Sequence, residues 1–154
     1  MFIRDNHLHT HHSYDSDANF TDYLTHFDGE IVTTEHYDLS NPYTKQDDVP
    51  DYESYSHEVE KLNLKYGNRI KRGIEIGYYQ PRESDILDFL YGKDYDLKLL
   101  SVHHNGVNDY LDDEVVIWTR LTLFKNIWIS WSMLLVVWTQ MFWPTLTMVS
   151  VFLM

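Results

Sequence analysis

The chain has 154 residues, enough for one domain with a sizeable core, and carries 24 acidic against 12 basic side chains. A net charge of −12 argues against a nucleic-acid backbone as partner. The absence of cysteine excludes disulfides, thiolate zinc sites and cysteine nucleophiles together, and fits a reducing, cytoplasmic setting.

In chain order, Phe2 to Leu8 is predicted as a short strand, with no signal-peptide character in MFIRDNHLHTHH. Asp17 to Phe27 follows as a helix whose Phe20, Tyr23, Leu24 and Phe27 recur at helical spacing. The β-branched run Glu30 to Thr34 reads as a second strand leading into Glu35-His36. Asn41-Pro42 and Val49-Pro50 mark a polar loop, and Asp51 to Tyr66 a second helix with Tyr55, Val59, Leu62 and Tyr66 on one side. A third strand over Asn68 to Ile76 contains Glu75. A weaker helix over Glu83 to Tyr91 presents Ile86, Leu87 and Leu90, and a fourth strand over Leu97 to Val102 leads to His103.

Strand-then-helix units imply an α/β fold with parallel strands and helical crossovers. Polar groups at the C-terminal ends of successive strands suit the active-site face of a barrel, although four strands cannot close one. No glycine-rich phosphate loop is present, so phosphate binding would fall to metals and side chains.

The polar residues at those strand ends form an ordered constellation. His7 and His9 alternate along a strand, so both imidazoles can address one point. Asp15, His36, Glu75 and His103 add hard carboxylates and imidazoles, the donor set of a divalent-metal site. Glu75 lies between Ile74 and Ile76, where an unpaired inward carboxylate is costly and a metal, or a salt bridge to Arg72, offsets the cost. Glu35 reads as a carboxylate orienting a histidine from behind. His104 points away from His103 by strand alternation and is the candidate for proton transfer or substrate contact. His11 and His12 read as solvent-exposed, with proton transfer or substrate contact the alternative, and Arg72 and Arg82 as surface charge partners rather than phosphate ligands.

Asp5-Asn6-His7-Leu8-His9-Thr10 with Ser13-Tyr14-Asp15, then Thr34-Glu35-His36, Gly73-Ile74-Glu75 and Ser101-Val102-His103-His104 together resemble the motifs of the PHP (polymerase and histidinol phosphatase) metal-dependent phosphoesterase family. HLHTHHSYDSDA, TEHYD, GIEIGY and SVHHNG are most similar to bacterial histidinol-phosphatases. The resemblance covers residues 3 to 115. It implies an incomplete, distorted TIM-like (β/α)7 barrel with up to three zinc, iron or manganese ions. In that scheme His7 and His9 hold one ion, Glu75 bridges it to a second held partly by His103, and Asp15 and His36 help hold a third. The implied reaction is hydrolysis of L-histidinol phosphate to L-histidinol and phosphate in histidine biosynthesis, the alternatives being a PHP-type phosphoesterase acting on another phosphate ester or a non-catalytic membrane-tethered fragment.

The remainder departs from this pattern. All 24 acidic residues precede residue 116, and all five tryptophans lie between Trp118 and Trp143. No formal charge occurs from Asn126 to Met154, an atypical apolar tail interrupted by Asn126, Ser130, Ser132, Thr139, Gln140 and Pro144. A reading-frame shift is the favoured origin of residues 116–154, against a membrane anchor or a buried core segment. The family's late Asp-x-His pair has no counterpart after Asp113, so 1–115 reads as a partial domain and the chain is expected to have little or no phosphatase activity.

Overall fold

The computed structural model describes residues 4–110; the tail expected over 116–154 lies outside the described residues. The elements are β1 (Arg4–Leu8), α1 (Phe20–His26), β2 (Glu30–Asn41), β3 (Gln46–Asp48), α2 (Tyr52–Tyr66), β4 (Ile70–Gly77), a 3-10 turn (Gln80–Arg82), α3 (Glu83–Leu90) and β5 (Leu97–Ser101). They form an α/β structure on one five-stranded sheet of order β1-β2-β4-β5, with β3 paired to β2. β1 and β2 are parallel, with Arg4 opposite Glu30 and Leu8 opposite Thr33. Among the described residues no helix is long and apolar enough to cross a membrane.

The chain divides into two compact units. The first comprises residues 4–37, Asp48–Glu75 and Gly92–Leu99; the second comprises Asp38–Asp47, Ile76–Tyr91 and residues 100–110. The first has a core of Phe20, Leu24, Ile31, Tyr55, Val59 and Ile70, against which Leu8, Tyr23, Phe27, Leu62, Tyr66 and Tyr95 pack. Both helical faces predicted from spacing therefore point inward, where apolar burial contributes about 25 cal/mol per Å². The second unit buries Leu39, Ile76, Tyr78, Ile86 and Leu90.

Helix α2 begins one residue after the predicted start because Asp51 is its cap, accepting the N–H groups of Glu53 and Ser54 at 3.1 Å each. Asn63 fixes the other end against β4, donating to the Ile70 carbonyl at 2.8 Å and accepting its N–H at 2.9 Å. Two features differ from the sequence expectation. β2 runs on to Asn41 rather than stopping at Thr34, so Glu35 and His36 are mid-strand. β3, absent from that expectation, makes the sheet five-stranded rather than four-stranded, and the 3-10 turn before α3 is likewise new.

The Tyr55 hydroxyl joins α2 to two strands. It accepts the Gly73 N–H at 3.0 Å and lies 2.8 Å from the Thr33 carbonyl, to which it donates. Gly73 is needed there, because a Cβ would sit 2.7 Å from the Thr33 carbonyl oxygen. Tyr55→Phe keeps the ring but leaves the buried Gly73 N–H unsatisfied. A loss of about 1–3 kcal/mol in urea unfolding is expected, with no change in secondary structure by circular dichroism.

Candidate metal centre

In the first unit, His7, His9, Asp15, His36 and Glu75 come together. The Glu75 Oε2 is 2.9 Å from His7 Nε2, 3.6 Å from His9 Nε2 and 3.7 Å from His36 Nδ1. Asp15 reaches the other side of His36, with Oδ2 3.4 Å from Nε2. The His9 and His36 rings stack in parallel at 4.2 Å, and His7 meets His9 edge-on at 5.0 Å. Glu75 is almost wholly buried, and it faces imidazoles rather than the Arg72 considered from sequence. Arg72 is engaged by Asp94 at 3.4 Å and Glu60 at 3.9 Å.

Strand alternation is not the whole reason His7 and His9 converge. The β1–β2 register slips between Asp5 and Leu8, where three steps along β1 match two along β2. An extra residue at such a bulge re-aims neighbouring side chains. His9 lies just beyond the end of β1, in the loop that leads to Asp15.

Buried Glu35 fixes that loop. Its Oε2 accepts the Thr10 N–H at 3.0 Å and the Ser13 hydroxyl at 2.6 Å, and its Oε1 accepts the Thr10 hydroxyl at 2.8 Å. Ser13 Oγ in turn accepts the His36 N–H at 3.0 Å. Glu35 thus holds the backbone that carries the histidines, instead of orienting an imidazole directly as expected. Tyr23 adds a second restraint, donating from its hydroxyl to the His9 carbonyl at 2.6 Å.

Burial pushes the His9 pKa below its ordinary value, and His36 and His7 push it the same way while Glu75 and Asp15 oppose. The neutral imidazole with an available lone pair is the form a metal needs. His9 Nδ1 is buried without a hydrogen-bond partner, an orphaned polar atom in a cluster of nitrogen and oxygen ligands. The ligand atoms of His7, His9 and Glu75 lie within 4.8 Å of one another. Two imidazoles and a carboxylate at this spacing fit a divalent transition metal.

In the second unit, His103 Nδ1 lies 2.7 Å from Asp38 Oδ1. A buried carboxylate behind Nδ1 sets the ring orientation. Gly77 makes room for this pair, since a Cβ there would collide with the Asp38 carboxylate and stand 3.0 Å from His103 Nδ1. Asp38 is a residue the sequence reading missed; ending β2 at Thr34 hid it. His104 is buried, accepts the Gly106 N–H on Nδ1 at 3.0 Å, and its backbone pairs with that of Asp109 in an isolated antiparallel bridge. Burial lowers its pKa, with Asp38 opposing and His103 reinforcing the shift. Arg82 is occupied by Asp47 at 3.0 Å and by Asp85.

Two measurements probe this arrangement. Glu35→Gln replaces an acceptor-only group with one carrying an NH₂, which opposes the Thr10 and Ser13 donors. Metal affinity is expected to fall about 10–100-fold in a zinc titration although Glu35 is not itself among the converging ligands. The lowered His9 pKa also predicts a pH response of the metal-free protein. The unfolded chain binds a proton near pH 6.5, and folded His9 binds it only at lower pH. Its contribution therefore leaves stability untouched above that value and erodes it as the pH falls toward and through the folded pKa. His104 acts in the same direction. His9→Gln should flatten the decline in the urea midpoint between about pH 7.5 and 5; an unchanged slope would contradict the assigned direction.

Comparison with family profiles and with curated proteins finds no match. Among solved structures, the chain is similar to histidinol phosphate phosphatase from Lactococcus lactis subsp. lactis Il1403, crystallised with zinc, L-histidinol and phosphate. Sequence identity is 28% and the TM-score 0.65, over 71% of this chain and 43% of that chain. The chain spans less than half the length of the structure it matches. In fold and sequence it is similar to a portion of a PHP-family histidinol-phosphatase, the family its four ordered motifs resemble.

Proposed function

We propose that this chain carries part of a PHP-type metal-dependent phosphoesterase centre, that its ester ligand is L-histidinol phosphate, and that the chain by itself has little or no hydrolytic activity. The observation that carries the proposal is the gathering of three imidazoles around the single Oε2 of buried Glu75. The similar structure, crystallised with zinc, L-histidinol and phosphate, supports both the metal class and the phosphate-ester class. On this reading the sheet and its helical crossovers are part of a distorted TIM-like (β/α)7 barrel.

In the proposed assignment His7, His9 and Glu75 hold one cation, and Asp15 and His36 contribute to another. His103 is a further ligand, aligned by Asp38. Bound divalent cations, whether zinc, iron or manganese, supply Lewis acidity and neutralise charge on phosphoryl oxygens. The protein's own contribution is preorganisation. Glu35, Ser13 and Tyr23 fix the backbone at residues 9–13 and at His36, so the ligands need not be ordered when substrate arrives. His104 is the proposed proton-transfer residue, and burial lowers its pKa, so it holds a proton less readily than a free imidazole.

Calorimetric titration of the zinc-loaded chain with L-histidinol phosphate tests the reading. Binding that needs zinc and is weakened at least about tenfold by Glu75→Gln is expected. Equal affinity for L-histidinol phosphate and for an unrelated phosphate monoester would overturn the substrate assignment. Metal-independent binding would overturn the centre itself.

A further inference from the structure

A second cluster of metal-ligating side chains lies in the first unit and shares no residue with the one above. His11 and His12 are adjacent in the loop after β1, and Glu58 stands on α2. His12 Nε2 is 2.9 Å from Glu58 Oε2, and His11 Nε2 is 3.2 Å from the same oxygen. The two rings lie 4.4 Å apart at an interplanar angle of 34°, and both Nε2 atoms approach the same carboxylate oxygen. All three ligand atoms fall within 4.8 Å of one another. Sequence neighbours ordinarily diverge, and here a turn brings them to one point.

We infer that His11, His12 and Glu58 form an additional binding site for a divalent transition metal of the zinc class. Tetrahedral coordination with metal–ligand distances of about 2.0–2.1 Å places neighbouring ligand atoms roughly 3.4 Å apart, close to the separations from the carboxylate oxygen. Two imidazoles and one carboxylate favour zinc, nickel or copper over calcium or magnesium, which take oxygen ligands. The ligands are held in advance. The His11 N–H donates to the Ala18 carbonyl at 2.8 Å, and Thr10, which accepts the His12 N–H, is bonded to Glu35. The His12 ring is packed edge-on against Tyr55 at 5.4 Å and tilted against Phe20 at 6.0 Å. Glu58 is carried by a helix whose start is capped by Asp51.

Access is equally clear. The His11 side chain is 39% exposed and that of Glu58 35%, while that of His12 is 8% exposed. One anchored ligand and two half-open ones leave an approach for the ion and a coordination position for water or an anion. Plain hydrogen bonding, with each imidazole donating from Nε2 to Glu58, is the competing explanation, and the two predict different metal counts.

The full chain is equilibrated with zinc in the presence of a chelator of micromolar affinity, and bound metal is counted by atomic emission. His11→Ala and Glu58→Gln, both at partly exposed positions, are each expected to lose one metal equivalent relative to the parent. The double variant His7→Ala/Glu75→Gln is expected to retain that equivalent, so failure of the proposed phosphoesterase centre and failure of this site give different patterns. Cobalt substitution provides the second readout: visible absorption of low-symmetry Co(II) should persist in the His7/Glu75 variant and diminish in the Glu58 variant. Unchanged metal content and an unchanged cobalt spectrum in both His11→Ala and Glu58→Gln would overturn the inference. If Glu58→Gln proves unfolded by circular dichroism, His11→Ala alone decides the matter.

Discussion

A carboxylate buried from water must be surrounded by donors or give up its charge, and Glu35 meets that condition entirely within the loop it faces. Its three acceptor contacts are short and include a hydroxyl at 2.6 Å. Hydrogen bonds to a charged acceptor are roughly twice as strong as neutral ones, and stranding such an acceptor is more costly still. The segment from Thr10 to Ser13 is therefore pinned to β2. Everything attached to that segment inherits the restraint: His9 on one side, His11 and His12 within it, and Asp15 beyond. Through Ser13 the same carboxylate also reaches the backbone of His36. A residue lying behind the converging ligands thus sets where they are.

The ligand clusters follow from the same economy of charge. Imidazole can face a carboxylate as a donor and also offer a nitrogen lone pair to a transition-metal cation. Glu75, Glu58 and Asp38 each meet histidines at short range, while the arginines pair elsewhere, Arg72 with Asp94 and Arg82 with Asp47. Guanidinium groups at these carboxylates would have closed them as salt bridges. Histidines keep them available for a metal.

The helices were legible because their apolar residues repeat at 3.6 and their caps are local. Asp51 announces α2, and Phe20, Leu24, Tyr55 and Val59 are buried as their spacing implies. The length of β2 was not legible. Beyond Thr34 the segment Glu-His-Tyr-Asp loses its β-branched run and acquires charges, which reads as loop. Yet Glu35 and Asp38 are buried because each finds partners distant in sequence, and tertiary context overrides strand propensity. His7, His9 and Glu75 could be chosen from sequence, but the bulge that helps aim His7 could not, since register is a property of two strands. His11 and His12 looked like exposed polar residues because their partner Glu58 lies 46 positions away from His12.

Charge sets the final constraint on the proposed chemistry. The chain carries −12, and a phosphate ester approaching it meets a repulsive field. Neither Arg72 nor Arg82 relieves this, because each is already neutralised by aspartates. Nor is there a glycine-rich loop to cradle phosphoryl oxygens with backbone N–H groups. Bound divalent cations would reverse the local sign, and the side chains gathered around Glu75 are of the types that hold them. On the proposed reading, cation binding and phosphate binding are one linked equilibrium: losing a cation ligand removes the positive charge that the phosphate requires. Weakened metal binding should then appear first as weakened ester binding, before any effect on the bond-breaking step.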